Sequence, residues 1–337
     1  MPIGEPNQFN RQPDSGSRNT QEKIRLIVNP RAGGGRAGGQ IEALKRLTDR
    51  AFEQWEITET EAPGHASHLA REAAEQGFDI VAAVGGDGTC HEVVNGLIKD
   101  GKAVRKQTSF TVIPFGTGSD LVRSMNIPKR TEEALWIAAT GLSLPSDLGM
   151  ATMTTEEGER SEVFVNVAGF GANGEVAHLT NQSSKRFGGT ATFVSATLKT
   201  LVSYQTRRVA LSIEGPDGTI EWEDELLSAF VANGHYCGSG MLVGSGGSMQ
   251  DGLFDVSVLK PSSLVQQAVD FRRLYDGTLH KAHGASRTEA RSVTARATDG
   301  HPIPIELDGE SCGTLPARFE VLPKTLTMRG SWVHQSK

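Results

Sequence analysis

The chain has 337 residues, more than one hydrophobic core usually supports, so two domains are the first expectation. Apolar residues make up 37% and charged residues 22%, the balance of a soluble globular protein. A net charge of −6 excludes a broad nucleic-acid-binding face, so any phosphate recognition has to be local.

Residues 1–22 are polar and rich in Pro, Gly, Ser and Asn, without the apolar core of a signal peptide, and read as a disordered leader. "KIRLIVNP" (Lys23 to Pro30) is a first strand that ends in a turn, and "RAGGGRAGG" follows it. "QIEALKRLTDRAFEQ" carries Ile41, Leu44, Leu47 and Phe52 at helical spacing. "WEITET" is a second strand, "HASHLAREAAEQG" a second helix, and "DIVAAVGGDGT" a third strand running into glycines. "TCHEVVNGLIKDG" continues as a helix, and "SFTVIPFGTGSDLVRSM" reads as strand, glycine loop and helix. This alternation predicts an α/β domain over 23–143 whose parallel sheet is flanked by helices.

After Leu142 the rhythm changes to short strands between turns, from "EVFVNVAGFG" to "ARFEVLPKTLTMRG", which predicts a mainly antiparallel β-sandwich over 144–325. Two helices interrupt it, "GTATFVSATLKTLVSYQTRR" and "SLVQQAVDFRRLYDG". Residues 326–337 form a C-terminal segment whose return to the first domain is left open. Cys90, Cys237 and Cys312 are scattered and odd in number, which speaks against a disulfide framework or zinc site and for a reducing cytosol. No run of eighteen apolar residues occurs, so no transmembrane segment is expected.

All three glycine-rich loops follow strands of the first domain, so they share the rim where open α/β sheets bind ligands. Bare glycine lets main-chain N–H groups reach phosphate oxygens, and the helix after Thr89 points its positive end at the same place. Asp87 beside a phosphate calls for an intervening cation, Mg²⁺ directly or through water; the plainer reading is a carboxylate capping the helix. Neither a Walker loop nor a dinucleotide-binding fingerprint is present.

"VNPRAGGGRAG", "VGGDGTCHEVVNGL", "IPFGTGSDLVRSMNIP", "GFGANGEVA", "SMQDGLFDV" and "ELDGE" resemble, in that order, the motifs of the diacylglycerol and sphingosine kinase family, above all its soluble bacterial lipid kinases. The resemblance implies an ATP-binding surface at Asn29, Arg31, Gly33, Thr60, Gly85, Gly86, Asp87, Gly88, Thr89, Cys90, His91, Gly116 and Thr117. It implies a general base at Glu310 or Asp308 and a structural Mg²⁺ held by Asp251 and the carbonyls of Ser248 and Leu253. Asp87, Asp147 and Asp251 resemble the family's acidic network near the nucleotide. Ser119 stands where the family usually has Asn. The implied activity is ATP-dependent phosphorylation of a diacylglycerol-like or sphingoid hydroxyl, with the acceptor in the interdomain cleft. The protein would be cytoplasmic and transiently peripheral to a membrane, and a homodimer is left open. NAD kinase, which shares Gly-Gly-Asp-Gly-Thr, and a non-catalytic nucleotide-binding regulator are the alternatives. Asp308-Gly309 also reads as a plain hairpin turn.

Overall fold

The computed structural model describes residues 20–116, 119–182 and 204–332. Four parallel strands open the chain: β1 (Thr20–Val28), β2 (Phe52–Glu59), β3 (Ile80–Gly85) and β4 (Ser109–Pro114). They lie side by side in the order β4-β3-β1-β2. Every residue of β3 and β4 is buried, as continuous β-branched and small apolar runs require when helices cover both faces. The intervening helices are the short α1 (Arg36–Gly39), α2 (Ile41–Ala51), α3 (His65–Glu75), α4 (Asp87–Leu97), α5 (Asp120–Ser124) and α6 (Thr131–Thr140). Gly96 lets α4 press against α3: a Cβ there would collide with the Ser67 carbonyl. Ser67 Oγ donates to the Glu92 carbonyl at 2.6 Å and locks the same contact.

The second half consists of β5 (Leu142–Thr155), β6 (Gly158–Phe164), β7 (Val167–Gly171), α7 (Ala172–Gln182), β8 (Arg207–Gly215), β9 (Gly218–Leu226), β10 (Ser228–Ala232), β11 (Phe254–Leu259), α8 (Leu264–Asp270), β12 (Ala285–Ala290), β13 (Ser292–Ala297), β14 (Pro304–Leu307) and β15 (Glu310–Gly330). The pairings within this half are antiparallel. Inward-facing rings hold its core together: Phe164 stacks on Phe254 at 5.5 Å, and Phe170 on Phe319 at 5.8 Å. The α/β domain followed by a mainly antiparallel β domain is the predicted class.

The two halves meet along long strands. β15 leaves the Asp308-Gly309 hairpin, pairs with β13 and β5, and ends with Thr327 and Met328 parallel to Ser109 and Phe110 of β4. Strand pairing therefore runs from one domain into the other, where the sequence suggested a boundary near 143. Arg329 fastens the end of β15: its guanidinium meets both carboxylate oxygens of Glu22 at 2.7 Å and the Ala138 carbonyl at 3.0 Å. Thus the chain does return to the first domain, and residue 22, assigned to the leader, belongs to β1.

Three local expectations differ. "EVFVNVAGFG" is broken after Phe164, and helices α6 and α7 carry no strong sequence signal of their own. "SLVQQAVDFRRLYDG" is a seven-residue helix followed by a 3₁₀ turn at Phe271–Leu274. Residues 189–203 of the expected helix "GTATFVSATLKTLVSYQTRR" lie outside the described residues.

Candidate active site

A cleft of about 930 Å³ opens between the domains, floored by the turns after β1, β3 and β4 and walled opposite by the turn between β14 and β15. Asn29, Arg31, Gly33, Thr60, Gly86, Asp87, Gly88, Thr89, His91, Gly116, Asp308 and Glu310 all line it. Thr117 lies outside the described residues. Gly85 and Cys90 do not line the cleft. Cys90 is buried in the core, where burial pushes its thiol well up, so the nucleotide-contact expectation for its side chain is corrected to packing.

Close main-chain approach shapes the floor. A Cβ on Gly116 would stand 2.5 Å from Gly86 Cα, and the Gly116 N–H donates to the Gly85 carbonyl at 3.0 Å. Gly33 has φ +61° and no room for a Cβ against the Phe115 carbonyl. Asn29 Nδ2 donates to Thr89 Oγ1 at 3.2 Å, joining the first loop to the second, and its Oδ1 accepts from the Arg31 N–H at 3.0 Å. Helix α4 starts at Gly86 with no side-chain cap, which leaves its first-turn N–H groups directed at the cleft.

Asp87 does not cap its own helix. Its Oδ1 accepts from the Asp120 and Leu121 N–H groups at 2.9 and 3.2 Å, so it caps α5 across the floor. Burial, then the neighbouring Asp120, push its carboxyl up to about 6. Asp120 in turn binds Arg123 at 2.5 Å and accepts from the Ser239 N–H of the second domain at 2.7 Å. Ser119 is buried in the left-handed region at φ 56°, with its Oγ on the Gly116 carbonyl.

On the opposite wall, Asp308 and Gly309 have φ 52° and 89°, the two-residue hairpin conformation, with Leu307 paired to Glu310. The hairpin and the site are the same object. Asp308 is an anchor: its two oxygens accept from the N–H groups of Val165, Asn166 and Val167 at 2.8–3.2 Å and face His91 Nδ1 at 3.0 Å. That fan of amides breaks the strand after Phe164. Glu310 faces the first domain: its Oε1 lies 2.6 Å from where a Cβ on Gly88 would stand.

His91, read as a nucleotide residue, is a cross-domain tie. Nδ1 faces Asp308, and Nε2 faces Glu162 Oε1 at 2.8 Å. A neutral imidazole donates from one nitrogen only, so two carboxylates at both nitrogens select the imidazolium. Burial opposes that charge, yet the bonds and charges of Asp308 and Glu162 raise the ring to about 10. The ligand atoms of His91, Glu162 and Cys312 also lie near one another. Sequence reading missed Glu162, Asp120 and the buried Glu306, whose carboxyl burial pushes up to about 8; only Asp120, directly after a glycine loop, carried a signal.

Ser248, Asp251 and Leu253 are not among the cleft-lining residues. They share a turn in which the Leu253 N–H donates to Asp251 Oδ1 at 3.1 Å. Two carbonyls and a carboxylate are the hard oxygen donors that Mg²⁺ takes. Asp147, expected near the nucleotide, is wholly buried and accepts from the Gly252 and Lys324 N–H groups, each at 2.7 Å. Its carboxylate supports that turn, away from the cleft lining.

A family model of the diacylglycerol kinase catalytic domain matches residues 23–151, and one of the YegS C-terminal NAD kinase beta sandwich-like domain matches residues 166–330. A diacylglycerol kinase of Bacillus subtilis (strain 168) is 27% identical over 305 residues, covering 88% of this chain and 93% of that protein. A protein of Pseudomonas aeruginosa (strain UCBPP-PA14) named "Probable lipid kinase YegS-like" is 27% identical over 314 residues, covering 91% and 93%. The crystal structure of a diacylglycerol kinase from Bacillus anthracis str. Sterne shares the fold, with a TM-score of 0.68 at 22% identity over 93% of this chain and 98% of that one. Matched in both halves and along most of its length, the chain joins a diacylglycerol kinase catalytic domain to a YegS C-terminal NAD kinase beta sandwich-like domain and is similar to proteins named diacylglycerol kinase and probable lipid kinase.

Proposed function

We propose that this protein is an ATP-dependent lipid kinase that transfers the γ-phosphate to a hydroxyl of a diacylglycerol-like or sphingoid lipid, with Glu310 as general base. The observation that carries the reading is Glu310 Oε1 against Gly88: an acid from the second domain faces the phosphate loop of the first. The first-turn N–H groups of α4, with Asn29 and Arg31, hold the triphosphate at the floor. Glu310 takes the proton of the lipid hydroxyl as that oxygen attacks the γ-phosphorus and ADP leaves. Asp308 is unsuited to that step, because three amides and His91 engage its oxygens.

Asp87, a buried carboxylate in the phosphate loop with a raised proton affinity, fits a cation arriving with the nucleotide. Ser248, Asp251 and Leu253 offer the donor set for a structural Mg²⁺. Magnesium on the phosphates supplies charge neutralisation. A narrow, mostly apolar recess of about 80 Å³, walled by Val176, Phe230, Met241 and Leu259, adjoins the cleft at Cys237, Gly238 and Gly309 and offers room for the first few carbons of an acyl chain. A bilayer-dissolved acceptor requires transient peripheral membrane contact.

The test is phosphate transfer from radiolabelled ATP to extracted native lipids, with the product identified. Glu310→Gln is expected to lose ~10²–10⁴-fold in turnover while retaining ATP affinity. Near-normal turnover would refute the base assignment, and phosphorylation of NAD with none of lipids would overturn the function.

A further inference from the structure

Helix α8 is inside out. Its outward face carries Leu264, Val265 and Val269 at 57%, 74% and 52% exposure, with exposed Ala268 between them, while Gln266 and Gln267 are half-buried and Asp270 is buried. A surface helix normally presents the opposite pattern. The element is firmly seated, so the exposure is not that of a loose end. Ser263 forms a reciprocal capping box with Gln266, Asp270 binds Arg273 at 2.7 Å and the His283 N–H at 2.8 Å, and Leu274 and Leu279 enter the core below. Exposed Tyr275 extends the apolar face and packs on Phe271 at 5.7 Å.

The charge around this face opposes that of the molecule. Residues 260–284 carry four basic side chains, Lys260, Arg272, Arg273 and Lys281, against Asp270 and Asp276, in a chain whose net charge is −6. Asp270, buried beneath the helix, pairs with Arg273, Lys260 pairs with Asp224 at 2.7 Å, and Asp276 is exposed; the exposed cations outside these ion pairs, among the described residues, are Arg272 and Lys281, with His280 beside them in sequence. Apolar side chains presented outward with a basic rim match an anionic lipid surface, which takes the former into its acyl boundary and attracts the latter. The same segment also walls the narrow apolar cavity: Leu274 lines it, and Gly309, next to Glu310, lies at its edge toward the cleft.

We infer that the outward face of α8, Leu264, Val265 and Val269 with Arg272 and Lys281 beside it, is the surface by which this protein docks on an anionic bilayer. The site of chemistry toward which the cavity leads rests on the lipid-kinase reading; the docking surface does not.

The experiment is co-sedimentation of the full chain with vesicles of phosphatidylcholine alone or with phosphatidylglycerol, without ATP, so that it reads binding apart from catalysis. Leu264→Gln/Val265→Gln/Val269→Gln changes exposed positions only, and an unchanged Tm confirms folding. Binding is expected on the anionic vesicles, weaker by at least about tenfold in the triple variant and reduced in Arg272→Glu/Lys281→Glu. Phosphorylation of a short-chain soluble diacylglycerol should be unchanged in the triple variant, while that of the same lipid class in vesicles falls. Wild-type protein that ignores anionic vesicles, or a triple variant that binds them equally well, overturns the proposal. So does a triple variant whose only change is a smaller oligomer, which would make the face a contact between copies. If vesicles bind as expected but no lipid is phosphorylated, the docking surface stands and the kinase reading fails.

Discussion

Replacing His91 by Gln isolates the charge that joins the domains. The imidazolium sits 3.0 Å from Asp308 and 2.8 Å from Glu162, and all three side chains are largely buried. Removing it leaves two carboxylates facing a neutral amide, and losing one partner of a buried pair costs ~3–5 kcal/mol. The rise of the ring from 6.5 to about 10 corresponds to roughly 5 kcal/mol at ~1.4 kcal/mol per pH unit, the same order. A raised folded-state value means that this stabilisation is complete below pH 6.5 and fades as pH climbs towards 10. Glu162 sets the acid limit: against the desolvation of burial, His91 and Arg160 hold it below 4.5, so its share disappears as the solution becomes more acidic than that. Urea unfolding of both proteins between pH 5 and 10 is the assay. The gap should be widest near pH 5–6.5 and narrow steadily to pH 10. A gap independent of pH would show that His91 is neutral and the ion-pair reasoning wrong.

The two acids of the terminal motif should separate cleanly. Asp308→Asn, which withdraws charge from three amides and His91, is expected to destabilise by ~2–3 kcal/mol, whereas Glu310→Gln leaves thermal stability within ~0.5 kcal/mol; equal Tm losses would contradict the division of roles. Gly88→Ala places a methyl 2.6 Å from Glu310 Oε1, so it should reduce turnover far more than ATP affinity, as steady-state kinetics and nucleotide titration would reveal. Glu306 is held protonated by burial up to about pH 8, so stability should decline between pH 4.5 and 8 as the unfolded chain ionises first. Glu306→Gln should flatten that decline, and an unaltered slope would mean that the group titrates normally.

How much of this could be read without coordinates varies by element. β1, β3 and β4 and their glycine loops were legible because each is a local pattern: a buried apolar run, then residues whose use is a bare main chain. The Asp308-Gly309 turn was legible for the same reason. α6 and α7 were not, since their amphipathic contrast is weak and packing carries them, α6 against β4 and α2, α7 against β14 and β15. The helix at 263–277 was read too long because Phe271, Leu274 and Tyr275 continue its apolar spacing through a turn that is 3₁₀.

Local order alone dictated that the three glycine loops lie on one rim and that a carboxylate pair closes a hairpin. Which carboxylate faces the rim was decided by folding. His91 and Asp308 are 217 residues apart, and only the pairing of β15 across both domains brings them to hydrogen-bonding distance. Once three amides and an imidazolium saturate Asp308, Glu310 is the acid left to face Gly88. Such roles depend on which donors surround a side chain in space, a property that spacing along the chain does not contain.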